Sequence, residues 1–190
     1  LDEGEYKEQN QRFFEEYQAG KLDIFASAEF QFQFLKNNTR KFLNDVRSGY
    51  IDEIIRPMIL KKAEDLVNQH REAGDSLLII TATNTFITKP IGEIFGIDEL
   101  IGTDPEENLG EFTGKVKGTP SYKDGKVTRL FDWLNEKKLK LADFEKTFFY
   151  SDSHNDLALL EFVTNPVVVN GDKILLEKAQ EKNWPTLNLK

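Results

Sequence analysis

The sequence predicts an α/β protein with a helical first quarter, and three observations carry that prediction. From residue 57 onward, short apolar runs alternate with amphipathic stretches of helix length. That is the pattern of a mainly parallel sheet covered on both faces. Before residue 57 no stretch alternates as a strand would, and aromatic residues recur at helical spacing. Finally, the aromatic run Phe148-Phe149-Tyr150 stops at Asp152, and a second carboxylate follows at Asp156. Acidic side chains at the carboxyl end of a strand stand where such sheets bind ligands.

In the first quarter, Phe13, Phe14 and Tyr17 fall on one helical stripe, and Phe30, Phe34 and Leu35 suggest a second helix. Phe42, Val46 and Ile51 suggest a third, with Gly20 and Gly49 as punctuation. These stripes read as packing faces. Pro57 opens an expected helix over 58–70 that ends at Gly74. His70, near its carboxyl end among charged neighbours, reads as a solvated partner of the helix dipole.

Residues 77–80 read as a buried parallel strand followed by the polar turn Thr81-Ala82-Thr83-Asn84. Thr88-Lys89-Pro90 resembles a helix start, and 97–101 a further strand. Residues 111–116 alternate and are flanked by glycines, which suggests a short hairpin. Asp124-Gly125-Lys126 opens a helix carrying Val127, Leu130, Phe131 and Leu134. Strands are expected at 147–151 and 166–170, and after the turn Asn170-Gly171-Asp172 a last helix at 173–182.

Composition removes several function classes. With 33 acidic against 25 basic side chains, the net charge of −8 argues against a nucleic-acid or anionic-membrane surface. No apolar run is long enough to span a bilayer. Without cysteine there is no disulfide, thiolate nucleophile or zinc–cysteine site. That composition fits a reducing compartment, and the cytoplasm is the expected location. A small anionic ligand stays possible, since a local nest or a metal overrides the global sign.

Three strand ends or helix starts carry groups that suggest one site. Thr81, with the amide of Ala82, could hold a phosphate near a helix start. Lys126 begins a helix, where the dipole disfavours a cation, so its placement invites an explanation. Asp152 and Asp156 repel unless a cation or lysine compensates them, and they could supply hard oxygen ligands to magnesium. Phosphate-loop and G-x-G-x-x-G motifs are absent. His154 has no Ser or Cys nucleophile beside it and reads as a loop residue.

Taken together, an apolar strand ending at Thr81, the string D-G-K-V at 124–127 and Y-S-D-S-H-N-D at 150–156 resemble the haloacid dehalogenase superfamily. T-A-T-N-T-F at 81–86 and R-P at 56–57 are similar to its phosphoserine-phosphatase-like branch. The resemblance implies a Rossmann-like three-layer core with a helical cap, the cap being residues 1–56, incomplete at its N-terminus, and the core 57–190. It implies a magnesium-dependent phosphatase acting on a small phosphorylated metabolite, phosphoserine-like or another phosphorylated alcohol. Asp152 would bind Mg²⁺, and Asp156 would support that metal site and pair with Lys126. Thr81, Ala82, Lys126 and Asn155 would hold phosphoryl oxygens, and the cap would exclude water.

The family's first motif, D-x-D-x-T/V on a central strand, supplies the attacking aspartate and the acid/base. No such string occurs here, and the expectation is that it precedes Leu1, so that this chain alone lacks its nucleophile. Other readings are a non-catalytic phosphate-ligand or protein-binding module of the same fold, and a phosphotransferase using the same residues. A receiver-like signalling domain fits less well, because of the helical first quarter. In the cap, Arg40, Arg47 and Arg56 are candidates to meet a substrate carboxylate, with Arg56, beside Pro57, the first to consider.

Overall fold

The computed structural model describes residues 3–190. Helices α1 (Glu3–Gln18), α2 (Ile24–Lys36) and α3 (Arg40–Tyr50) fill the first quarter. Asp23 and Thr39 cap α2 and α3 by accepting from the amides of Ala26 and Phe42. A π-helical turn (Ile51–Ile55) then carries α3 into the short α4 (Arg56–Met58).

The aromatic stripes are partly displaced from their expected faces. Phe13 is buried while Phe14 is exposed, and in α2 the buried face is Ala28, Phe32 and Leu35, leaving Phe34 outside. The reason is the partner: Ala28, Phe32 and Leu35 join Leu43, Phe86 and Phe112 in one cluster. The helix turns the residues that meet those rings inward.

The expected helix at 58–70 is instead α5 (Lys61–Glu72), because Ile59 and Leu60 are extended and Leu60 takes the N-cap position. Gly74 ends it at φ +82°, with the Asp75 amide donating to the His70 carbonyl. His70 is half-buried rather than solvated. Its ring sits between Asp75 (2.6 Å) and the Tyr150 hydroxyl (2.7 Å), edge-on to Phe148.

Strand β1 (Leu78–Asn84) is longer than its apolar run, so Thr81 lies within the strand rather than after it. Helix α6 (Thr85–Ile94) starts three residues before the expected threonine, because the Asn84 side chain caps it by accepting from the Ile87 amide. Pro90 therefore lies inside α6 and removes the ordinary helical donor to the Phe86 carbonyl. Arg47 supplies it, donating to that carbonyl at 2.9 Å with its guanidinium 4.3 Å from the Phe86 ring centroid.

The hairpin is longer than the short one expected at 111–116: that run is a single strand, β3 (Glu111–Lys117), paired with β2 (Glu99–Asn108) across a turn at Leu109 and Gly110, both at positive φ. Then follow α7 (Asp124–Glu136), β4 (Phe148–Ser151), a 3₁₀ turn (His154–Asp156) and α8 (Leu157–Leu160). The chain ends with β5 (Asn165–Val169), α9 (Lys173–Lys182) and an unforeseen strand, β6 (Thr186–Leu187).

The described strands form two three-stranded sheets, ordered β1-β2-β3 and β4-β5-β6. All pairs are parallel except β2 with β3. This is the mixed, mainly parallel α/β architecture the alternation predicts. Leu78 and Ile80 of β1 and Phe149 of β4 pack on the same cluster as Leu130 and Leu134 of α7, so one helix covers both sheets. Between the sheets lies an apolar cleft of about 480 Å³, lined by residues 77–80, 146–150 and side chains of α5 and α7.

Candidate active site

The turn after β4 is built by short side chains that bond back to their own backbone. Ser151 Oγ donates to Asp156 Oδ2 at 2.7 Å and accepts from the Ser153 amide. Ser153 Oγ accepts from the Asn155 amide, and its carbonyl from the Asp156 amide. This curl buries Ser151, Ser153, Asn155 and Asp156 and leaves Asp152 exposed at its crest.

Asp156 then meets Lys126. The ammonium stands 2.6 Å from Asp156 Oδ1, with both side chains over 90 % buried (6 % and 8 % exposed). A lysine at the first turn of a helix is tolerated because a buried carboxylate faces it. Gly125 sets its approach: a Cβ there would lie 2.2 Å from the Pro120 carbonyl oxygen, so only glycine lets the chain turn this tightly into α7.

Residue 172 was legible only as a turn. Its amide donates to the Asp152 carbonyl at 2.8 Å, and its Oδ2 accepts from the His154 amide (2.7 Å) and contacts His154 Nδ1 (2.8 Å). Its Oδ1 caps α9 at the Leu175 amide. Burial works against the Asp172 charge, but the bonds from the His154 and Leu175 amides and the His154 ring outweigh it and hold the carboxyl below its usual range. His154 is thus a clamp on the acid-bearing turn, in keeping with its reading as a loop residue.

Asn155, expected to reach phosphate, is already engaged through both side-chain atoms. Its Oδ1 accepts from the Tyr122 hydroxyl and its Nδ2 donates to the Tyr17 carbonyl, each at 3.0 Å. Tyr17 also donates to Ser153 Oγ at 3.0 Å. Burial raises the pKa of both phenols, Tyr122 to about 12 with Tyr17 and Asp156 nearby, Tyr17 despite the opposing bond to Ser153. Tyr17 reads from sequence only as part of a packing stripe and Tyr122 not at all, since each contact spans more than thirty residues.

The structure brings Lys126, Asp152, Asn155 and Asp156 together. Thr81 stands on β1, its hydroxyl accepting from the Thr83 amide, with Ala82 half-buried beside it. Arg56 lies apart: it is exposed and paired with Asp52 one helical turn back. Arg40 is likewise engaged, over the Phe112 ring and on Glu107.

As for a metal, each Asp156 oxygen already has a partner, Lys126 on Oδ1 and Ser151 on Oδ2, which suits a carboxylate that supports the site through its lysine. Among the described residues no three His, Asp or Glu side chains form a metal cluster. Among the described residues Asp152 has no side-chain hydrogen-bond partner, and it is exposed. Magnesium commonly takes one or two carboxylates and completes its shell with water and phosphate oxygens, so Asp152 fits as one such ligand.

Residues 4–161 match the haloacid dehalogenase-like hydrolase family. Over 191 aligned positions the chain is 44 % identical to a histidinol-phosphatase of Neisseria meningitidis serogroup C (strain 8013), covering all of this chain and 86 % of that protein. Several other curated relatives are longer, and the chain spans about half of them (52 % and 47 % in two cases). A crystal structure of a protein with unknown function from Bordetella pertussis Tohama I superposes with a TM-score of 0.93 at 40 % identity, over 100 % of this chain and 85 % of that one. A probable phosphoserine phosphatase from Vibrio cholerae shares the fold, with a TM-score of 0.67 at 20 % identity over 96 % of this chain and 52 % of that one. Several curated relatives are named as phosphatases, and the chain belongs to the haloacid dehalogenase-like hydrolase family.

Proposed function

We propose that this chain is the greater part of a magnesium-dependent phosphomonoesterase of the cytoplasm, acting on the phosphate ester of a small amino alcohol. Histidinol phosphate is the first candidate, after the name of the Neisseria relative. Phosphoserine, which shares a primary-alcohol ester beside an amine, is the second. The observation that carries the reading is the buried Lys126–Asp156 pair, whose acid stands on the same short turn as the exposed Asp152. A lysine fixed this way is a preorganised positive charge, which suits charge spreading over a phosphoryl group.

In this reading Asp156 and Ser151 hold Lys126 on the phosphoryl oxygens, while Thr81 and the Ala82 amide donate from the opposite strand. Asp152 would hold the magnesium ion, which when bound supplies charge withdrawal from the phosphoryl oxygens. The attacking carboxylate would be borne by a strand seated in the cleft between β1 and β4, where both neighbours are apolar. Residues 1–56 would form the cap over residues 57–190, excluding water from the reaction.

The test is release of inorganic phosphate from histidinol phosphate, phosphoserine and an aryl phosphate by the enzyme with that strand in place, with and without Mg²⁺. Asp152→Asn and Lys126→Ala are each expected to lower kcat about 100-fold or more. Unchanged turnover in both variants would refute the assignment.

A further inference from the structure

We propose that Lys123 and Asn155 are positioning residues that latch the carboxyl end of α1 to the two arms of the candidate site. Three bonds cross from the helical quarter to the α/β part at this one place. Lys123 Nζ donates to the Gly20 carbonyl at 2.6 Å, Asn155 Nδ2 to the Tyr17 carbonyl at 3.0 Å, and Tyr17 to Ser153 Oγ at 3.0 Å. The two carbonyls lie at or beyond the last turn of α1, where helical acceptors are short of donors. The Tyr17 carbonyl also takes the Gly20 amide.

Two backbone features fit side chains selected for this contact. Gly20 sits at φ +65°, and a Cβ there would come within 3.0 Å of His154 Nε2 and 3.6 Å of Asn155 Oδ1. The turn can therefore approach the acid loop only as glycine. Lys123, conversely, occupies φ +48°, where glycine would sit without strain, yet a lysine stands there with its ammonium on Gly20.

The donors occupy strategic places. Lys123 immediately precedes α7, which carries Lys126, and its neighbour Tyr122 holds Asn155. Ser153 and Asn155 lie between Asp152 and Asp156. One fastening therefore ties the helices to both the lysine and the acid arms. It also holds Tyr17 as a wall of a cavity of about 380 Å³ that Asp152 lines. Opening the latch would loosen the helical layer over Asp152 without touching the Lys126–Asp156 pair.

The structural part of this inference is independent of the proposed chemistry, and the kinetic part rests on it. The experiment is amide hydrogen exchange across residues 15–22 in Lys123→Ala, Lys123→Gly and Lys123→Arg, with α9 as the internal control. The alanine and glycine variants are expected to exchange about tenfold faster in that turn, while α9 is unchanged. Lys123→Gly is expected to melt above Lys123→Ala, since glycine relieves the positive φ. Lys123→Arg, which keeps a donor, restores slow exchange. Equal exchange in all three variants and the parent overturns the latch, as does acceleration in Lys123→Gly that spreads equally to α9. Tyr17→Phe removes a different bond of the same fastening and must also speed the turn. In the active enzyme, Lys123→Gly is expected to raise KM several-fold with kcat nearly kept. If no variant or parent turns over phosphate esters, the phosphatase reading fails while the exchange result stands.

Discussion

Lys126 Nζ lies 2.6 Å from Asp156 Oδ1 in surroundings that leave neither side chain more than 8 % exposed. Ser151 takes the other carboxylate oxygen. Because desolvation penalises each charge alone, the pair is held together mainly by what its separation would cost.

Lys126→Met is accordingly expected to lower unfolding free energy by roughly 3–5 kcal/mol, because Asp156 is left buried without its cation. The double variant Lys126→Met/Asp156→Leu should regain most of that loss while remaining inactive. Urea unfolding of the three proteins checks it. A single variant as stable as the parent would mean that the pair is hydrated in solution.

Gly125→Ala tests the turn that delivers the lysine. The new methyl would meet the Pro120 carbonyl at 2.2 Å, and backbone must shift to relieve it. Overpacking of this kind costs about 1–3 kcal/mol, and the displacement should impair phosphate release beyond the loss of folded protein. Thermal melting and kcat, measured together, separate the two effects.

The α6 proline and Arg47 form a second testable unit. Arg47→Leu leaves the Phe86 carbonyl without its guanidinium donor and is expected to cost about 1–3 kcal/mol. Burial lowers the Arg47 pKa, with Glu93 opposing the shift. Adding Pro90→Ala supplies the missing helical N–H and should recover much of the loss. A double-mutant cycle in chemical denaturation that proves strictly additive would contradict this reading.

Tyr122 sets an alkaline limit. Its pKa is pushed from 10.0 to about 12, chiefly by burial, with Tyr17 and Asp156 adding to it. A folded value above the unfolded one means its contribution is complete below pH 10 and lost as pH rises toward 12. Stability should fall in that window, and Tyr122→Phe should flatten the fall. Tyrosinate absorbance followed against pH in both proteins gives the measurement.

Much of the core was legible because its signals are local. The helix opened by Asp124-Gly125-Lys126 and the last helix at 173–182 rest on turn residues and periodicity within one window, and each formed as expected, while the run at 111–116 formed one arm of a longer hairpin. Boundaries shifted where the residues just before a helix decided its start. Asn84 started α6 early, and the extended pair Ile59-Leu60 started α5 late. Phe14 and Phe34 misled because helical spacing identifies a stripe but not which stripe the neighbouring sheet covers.

The sequence by itself determined the alternation of strand and helix, the acidic turn at 152–156 and the residue types that point to phosphoryl chemistry, all properties of contiguous residues. Only the tertiary structure decided which acid is free. It locks Asp156 with Lys126 and Ser151, leaves Asp152 open, and assigns Asn155 to Tyr17 and Tyr122. It likewise gave Asp172, His70 and Lys123 partners that no local pattern announces. The physical reason is that burial and pairing belong to surfaces brought together by folding, and a carboxylate's role follows from what desolvates it and what stands within hydrogen-bond reach.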